Sequence, residues 1–174
     1  MYSIFTIGHS THPIEEFIQL LQAHGVEQLI DIRTVPRSRT NPQFNRDTLP
    51  ESLKNAGIGY LHMPALGGLR HPRADSPNTA WRNASFRGYA DYMQTPQFAA
   101  AIDSLIELAS RGPVAIMCAE AVPWRCHRSL VADALTACGV PVEDILSMGR
   151  RQPHKLTPFA RVEGARVWYP GLLA

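Results

Sequence analysis

Short β-type runs alternate with helical stripes along nearly the whole chain, and this alternation restricts the fold more than any other feature. The β-type runs are "SIFTIGHS" (3–10), "VEQLIDIR" (26–33), "IGYLHMPALGG" (58–68), "GPVAIMCAE" (112–120) and "VPVEDILSM" (140–148). Between the first two, Ile14, Phe17, Ile18 and Leu21 make the i, i+3, i+4, i+7 stripe of an amphipathic helix, started by Thr11 and Pro13 and stopped by Gly25. Further helical patterns lie at 47–57, at 86–110 with a break at Thr95-Pro96, and at 126–139. The near-continuous apolar runs are those of strands covered on both faces. Strand–helix repetition of this kind predicts an α/β fold: a mainly parallel sheet with flanking helices in a Rossmann-like three-layer arrangement. The tail "FARVEGARVWYP" reads as a β-hairpin around Glu163-Gly164. With no internal repeat, linker or low-complexity segment, residues 1–174 are expected to form a single domain.

At 174 residues, 45% hydrophobic and 18% charged, the chain suits a globular protein with a real core. No apolar run approaches the roughly 18 residues of a membrane span, so no membrane association is expected. "MYSIFTIGHS" lacks the basic region and long apolar stretch of a signal peptide, and three cysteines suit a reducing compartment, so a cytoplasmic location is expected. The cations are unevenly placed: 13 of the 17 Lys and Arg residues fall in 33–46, 70–87 and 150–166, with only Asp75 and Glu163 opposing them. Fifteen of the 17 are arginine, whose planar fork matches phosphate and carboxylate. Solvated loops or an anionic partner both account for this pattern.

Open parallel sheets bind ligands outside the carboxyl ends of their strands. Here those positions carry His9 and Ser10, then Asp31 and Arg33, then Cys118 and Glu120. In "MCAEAVPWRCHRSLV" a helix starting near Cys126 would aim free N–H groups at the same edge, with Arg128 and Ser129 in its first turn and an anion as the natural guest. The helix end would lower the Cys126 thiol pKa, and Cys118 is either a nucleophile or a small core residue. Glu120, if partly desolvated, is an acid–base candidate, as are Asp31, His9 and His127. Arg33, Arg128, Ser10, Ser38, Arg39 and Ser129 form the expected anion-binding set. The structural alternatives are Arg128 paired with Glu120 or Asp31, and Asp31 as a loop cap. The spacing C-x7-C-H lacks the close cysteine pairs of structural zinc sites, so neither metal nor cofactor is expected.

The stretch "LRHPRADSPNTAWRNASFRGYADYM" mixes arginine with Trp81, Phe86, Tyr89 and Tyr92. Nucleotide or single-stranded nucleic acid binding uses such mixtures. Tyr89 and Tyr92 at i, i+3 fit a helix face packed on the core equally well.

In order, "TIGHS", "LIDIRTVPRS", "YLHMPALGG", "YADYM" and "MCAEAVPWRCHRSLVADAL" resemble the bacterial and archaeal domain-of-unknown-function family 488, from about residue 5 to the Tyr-Pro near 170. The resemblance implies a compact α/β domain with clustered motif residues; it supplies no substrate. "LIDIR" followed later by a strand, Cys118, a loop and Arg128 also looks like rhodanese and Cys-based phosphatase organisation. There a thiolate sits in converging N–H groups and an arginine closes the cradle. In this chain the Cys-to-Arg spacing is ten, and Pro123 and Trp124 interrupt it.

Three readings follow. The first is a hydrolase or transferase acting on a phosphate-bearing substrate, a nucleotide or nucleic acid. The second is a rhodanese-like, thiol-dependent sulfur or redox protein. The third is a non-catalytic nucleic-acid-binding module. The oligomeric state is not legible in the sequence.

Overall fold

The computed structural model describes residues 3–172. Six strands form one sheet: β1 (Ile4–Gly8), β2 (Gln28–Asp31), β3 (Gly59–His62), β4 (Val114–Cys118), β5 (Val142–Ser147) and β6 (Arg150–Pro153). Their spatial order is β3-β2-β4-β1-β5-β6; β6 is antiparallel to β5 and every other pairing is parallel. The helices are α1 (Ile14–Ala23), α2 (Leu49–Asn55), α3 (Ala84–Tyr92), α4 (Pro96–Arg111) and α5 (Arg128–Ala137). The C-terminal hairpin, β7 (Arg161–Glu163) and β8 (Arg166–Trp168), turns at Gly164, where φ is 63°.

Alternation along the strands splits the core into two layers, as strand geometry requires. Phe5, Ile7, Leu29, Ala115 and Met117 pack with Phe17 and Leu21 of α1 and with Leu49 and Leu53 of α2. Ile4, Ile30, Ile116 and Cys118 face the opposite layer, with Leu105 of α4 and Leu130 and Val131 of α5. Burying each such side chain contributes roughly 1.5–3 kcal/mol, and β1 and β4 are buried along their whole length. The helix breaks where Thr95-Pro96 predicts: the Thr95 hydroxyl accepts from Phe98 N–H and Pro96 opens α4.

The arginine- and aromatic-rich stretch is largely structural. Tyr89 and Tyr92 donate to the Leu66 and Ala65 carbonyls, and Arg70 lies over the Tyr92 ring at 3.7 Å. The irregular run before α3 is anchored by buried Asp91, which accepts from Arg73 N–H, Ser76 Oγ and Asn78 Nδ2. Asn78 in turn accepts from Tyr169 N–H, which ties in the tail. Among the described residues, no helix is long and apolar enough to cross a membrane.

Candidate functional site

The carboxyl ends of β1, β2 and β4 open onto a cleft of about 790 Å³. His9, Ser10, Arg33, Ser38, Cys118, Glu120, Cys126 and His127 line it, from four separate stretches of sequence. Asp31, Arg39, Arg128 and Ser129 do not line it. Among the described residues, both non-glycine residues with left-handed backbone, Ser10 (φ 48°) and Leu69 (φ 60°), border this cleft. Such strain persists only where the surroundings hold it, and it concentrates at working sites.

The sequence expectation for Arg128 needs correction. Its side chain is only 1% exposed and is committed to the protein, so it is not a free clamp for a guest. Neither Glu120 nor Asp31 pairs with it. Instead Nη1 donates to the Cys118 sulfur at 2.9 Å and to the Glu120 carbonyl at 2.5 Å, while Nη2 donates to the Ala121 carbonyl at 3.2 Å. Two neutral carbonyls leave the guanidinium charge unbalanced, and the Cys118 sulfur is the partner that balances it when ionised. Burial alone would raise the Cys118 pKa. The Cys126 thiol, the Arg128 charge and hydrogen bond, and a backbone bond at Glu120 outweigh burial and bring it down to about 7. Gly8 makes this arrangement possible. A Cβ there would lie 1.7 Å from the Glu120 oxygen and 2.7 Å from Arg128 Nη1.

Helix α5 begins at Arg128, two residues after Cys126. Its first N–H donates to the Cys126 sulfur at 3.4 Å, and both Ser129 N–H and Ser129 Oγ return to the Cys126 carbonyl. Cys126 thus fills the helix end that was expected to hold a substrate anion, and Ser129 is structural. The expected depression of the Cys126 pKa is reversed. Burial, then the neighbouring Cys118 thiolate, push the Cys126 thiol well above its ordinary range. Beside it, His127 Nε2 donates to the Ile32 carbonyl at 2.9 Å, which leaves Nδ1 to accept from the Cys126 S–H at 3.5 Å. Burial holds the His127 pKa at about 4, so the imidazole is neutral at pH 7.

The opposite wall is an ion pair with a histidine stacked beside it. Asp31, fully buried, accepts from Arg33 Nε at 2.9 Å and Nη2 at 2.7 Å, and from the Tyr60 hydroxyl at 2.5 Å. Asp31 is therefore a positioning residue for Arg33, not an acid–base group on the cleft. Arg33 Nη2 also donates to the Phe44 carbonyl, so Nη1, 3.5 Å from His9 Nε2, is the arm with no protein oxygen attached. The His9 ring stacks on Phe44 at 4.3 Å and its Nδ1 donates to the Ser10 carbonyl. Burial lowers its pKa to about 4, so it too is neutral. Glu120 sits on the rim with an exposed side chain, and the partly desolvated carboxylate expected from sequence is absent. Its contribution to the site is a backbone carbonyl. Arg39 is exposed and does not line the cleft, although Ser38 and Thr40 beside it do.

Sequence reasoning missed Gly8, Tyr60 and Arg125. Arg37 and Arg125 add guanidiniums to the cleft, where Glu120 is the one carboxylate among the described lining residues. Among the described residues, no cluster of three or more His, Cys, Asp or Glu side chains could hold a metal.

A family model described as "Domain of unknown function DUF488" matches residues 13–135. Comparison with curated proteins and with solved structures gives no match.

Proposed function

Because the chain belongs to the family described as Domain of unknown function DUF488, which names no reaction, we propose a function from the cleft itself: a thiol-dependent sulfur transferase with Cys118 as nucleophile and an anionic sulfur donor as substrate. The observation that carries this reading is the commitment of the buried Arg128 guanidinium to the Cys118 sulfur at 2.9 Å, with no carboxylate of the described residues on it. A thiolate, not a thiol, is the competent nucleophile. With a pKa of about 7, roughly half of Cys118 is ionised at neutral pH.

In the proposed first step the Cys118 thiolate attacks the outer sulfur of a sulfane donor such as thiosulfate. A Cys118 S–S bond forms, the donor's S–S bond breaks, and sulfite leaves with the electron pair. The new persulfide carries the charge the thiolate gave up and stays paired with Arg128. A nucleophilic acceptor such as cyanide then takes the outer sulfur and regenerates the thiolate. Cys126 keeps its proton, which His127 Nδ1 accepts, so it sits beside the nucleophile without competing for donor. His9 and His127, both neutral, add no charge that would trap the anion.

The test is mass spectrometry of the protein after thiosulfate, with thiocyanate release on adding cyanide. A one-sulfur adduct on the peptide bearing Cys118, lost in Cys118→Ser and retained in Cys138→Ser, is expected. An adduct that survives Cys118→Ser would sink the proposal.

Arg33 Nη1, Arg37 and Arg125 favour a second reading, in which the anion is a phosphate-bearing substrate and Cys118 takes a phosphoryl group. Thermal shift with phosphate and nucleotides separates the two. Stabilisation lost in Arg37→Ala and Arg125→Ala, with no sulfur adduct, would select phosphate.

A further inference from the structure

A second cavity, of about 640 Å³, lies behind the Pro123–Arg125 turn, and the thiol chemistry does not use it. The two hollows share walls. Trp124 and Ser129 face the cavity while Arg125 and Cys126 face the cleft, and Trp81 faces the cavity while stacked near Phe86 of the cleft at 4.9 Å. Its size falls within the range of small-molecule sites.

Two features give it a chemical character. Its walls are aromatic: Trp81 and Phe159 meet edge to face at 4.8 Å, and the Trp124 ring is 67% exposed. An exposed tryptophan at the mouth of a hollow is a stacking platform rather than core. Next, Asp144 is only 4% exposed, yet among the described residues its side chain takes a single hydrogen bond, from the Thr6 hydroxyl to Oδ1. Asp144 lines the cavity, and its Oδ2, which takes no donor from the described residues, is an acceptor suited to N–H donors. His154, bound through Nε2 to Asp133 at 2.7 Å, lies on the same wall.

From this we propose that the cavity binds a planar amino-heterocycle of the nucleobase class. Its ring stacks on Trp124 and its exocyclic amine donates to Asp144 Oδ2. The proposal is independent of the thiol chemistry, because neither Cys118 nor the cleft takes part. The buried carboxylate gives the site a preference: a base with an exocyclic amine fits, and one presenting a carbonyl there meets Asp144 oxygen to oxygen.

The test is tryptophan-fluorescence and calorimetric titration of the full chain with adenosine, inosine, cytidine, uridine and guanidinium. Saturable binding of adenosine or cytidine, about tenfold or more tighter than that of inosine or uridine, is expected. Trp124→Ala should weaken it by about tenfold, from the usual magnitude of base–aromatic stacking, and Trp124→Phe should restore most of the loss. Since Trp124 is exposed, both variants should fold as wild type. Asp144→Asn, checked for folding by circular dichroism, should erase the preference for the amine. Equal binding of adenosine and inosine, no saturable signal at millimolar ligand, or guanidinium binding as well as adenosine would each overturn the assignment.

Discussion

Replacing Arg128 with methionine tests the central claim, because the claim fixes both the sign and the shape of the result. In the wild type the thiolate of Cys118 is held at a pKa of about 7 against an ordinary value of 9.0, despite burial that acts the other way. Removing the guanidinium should return the thiol to 9 or above, a change of about two units or about 2.7 kcal/mol. At pH 7 the ionised fraction then falls from about one half to about one hundredth, while a more basic thiolate gains ~6–10-fold in intrinsic nucleophilicity from a Brønsted coefficient of 0.4–0.5. The net is a drop of about 5–8-fold in alkylation rate at pH 7, and a gain of ~6–10-fold at pH 10. The two pH–rate profiles must therefore cross. The assay is iodoacetamide alkylation in a Cys138→Ser background, with Cys118 resolved by peptide mapping and thiolate absorbance followed in parallel. Stability falls as well, since the Glu120 and Ala121 carbonyls each lose a donor at roughly 1–3 kcal/mol if left unsatisfied. Proton uptake by Cys118 spares it the larger cost of a stranded charge. Arg128→Lys keeps a cation with poorer geometry and should fall between. A profile in the methionine variant that still turns near pH 7, in protein shown to be folded, refutes the reasoning.

The neutral histidines set an acid limit. The folded pKa of His9 and of His127 is about 4 against 6.5 ordinarily, so the unfolded chain takes up protons first as pH falls. Stability is full above pH 6.5 and is lost from there towards 4, by up to ~3 kcal/mol per histidine, which urea titrations at stepped pH would reveal as a falling midpoint. A midpoint that stays flat across that window would count against buried neutral imidazoles. Gly8→Ala should cost on the order of 1–3 kcal/mol by overpacking and should raise the Cys118 pKa. Gly149→Ala, where a Cβ meets nothing within 4 Å, should change neither. Asp31→Ala strands a buried guanidinium and should destabilise by roughly 3–5 kcal/mol, whereas Glu120→Ala on the rim should stay within about 0.5 kcal/mol by chemical denaturation.

That last contrast shows where the sequence was legible and where it was not. Asp31 and Glu120 occupy equivalent places in the pattern, each at or just past the carboxyl end of a central strand, and sequence alone ranks them together as acid–base candidates. What separates them is which neighbours the fold brings up: Arg33 and Tyr60 enclose Asp31, and nothing encloses the Glu120 side chain. The parallel strands and helix stripes were readable because burial on both faces leaves an apolar run, and the meeting of His9, Arg33 and Cys118 followed from the strand-end rule. Strand β6 was not readable, since "RRQP" is an exposed antiparallel edge with no apolar alternation. The thiolate cradle was half readable. Arginine in the first turn of a helix does announce an anion, because the helix dipole disfavours a cation there. A sequence cannot say that the anion is the chain's own Cys118, because two of the groups that bind Arg128 are backbone carbonyls, which every residue possesses. Only the missing side chain at Gly8 marks their place. The small residue in "TIGHS" and the distant "CAEAVPWRCHR" therefore encode one contact between them, and neither stretch carries its meaning alone.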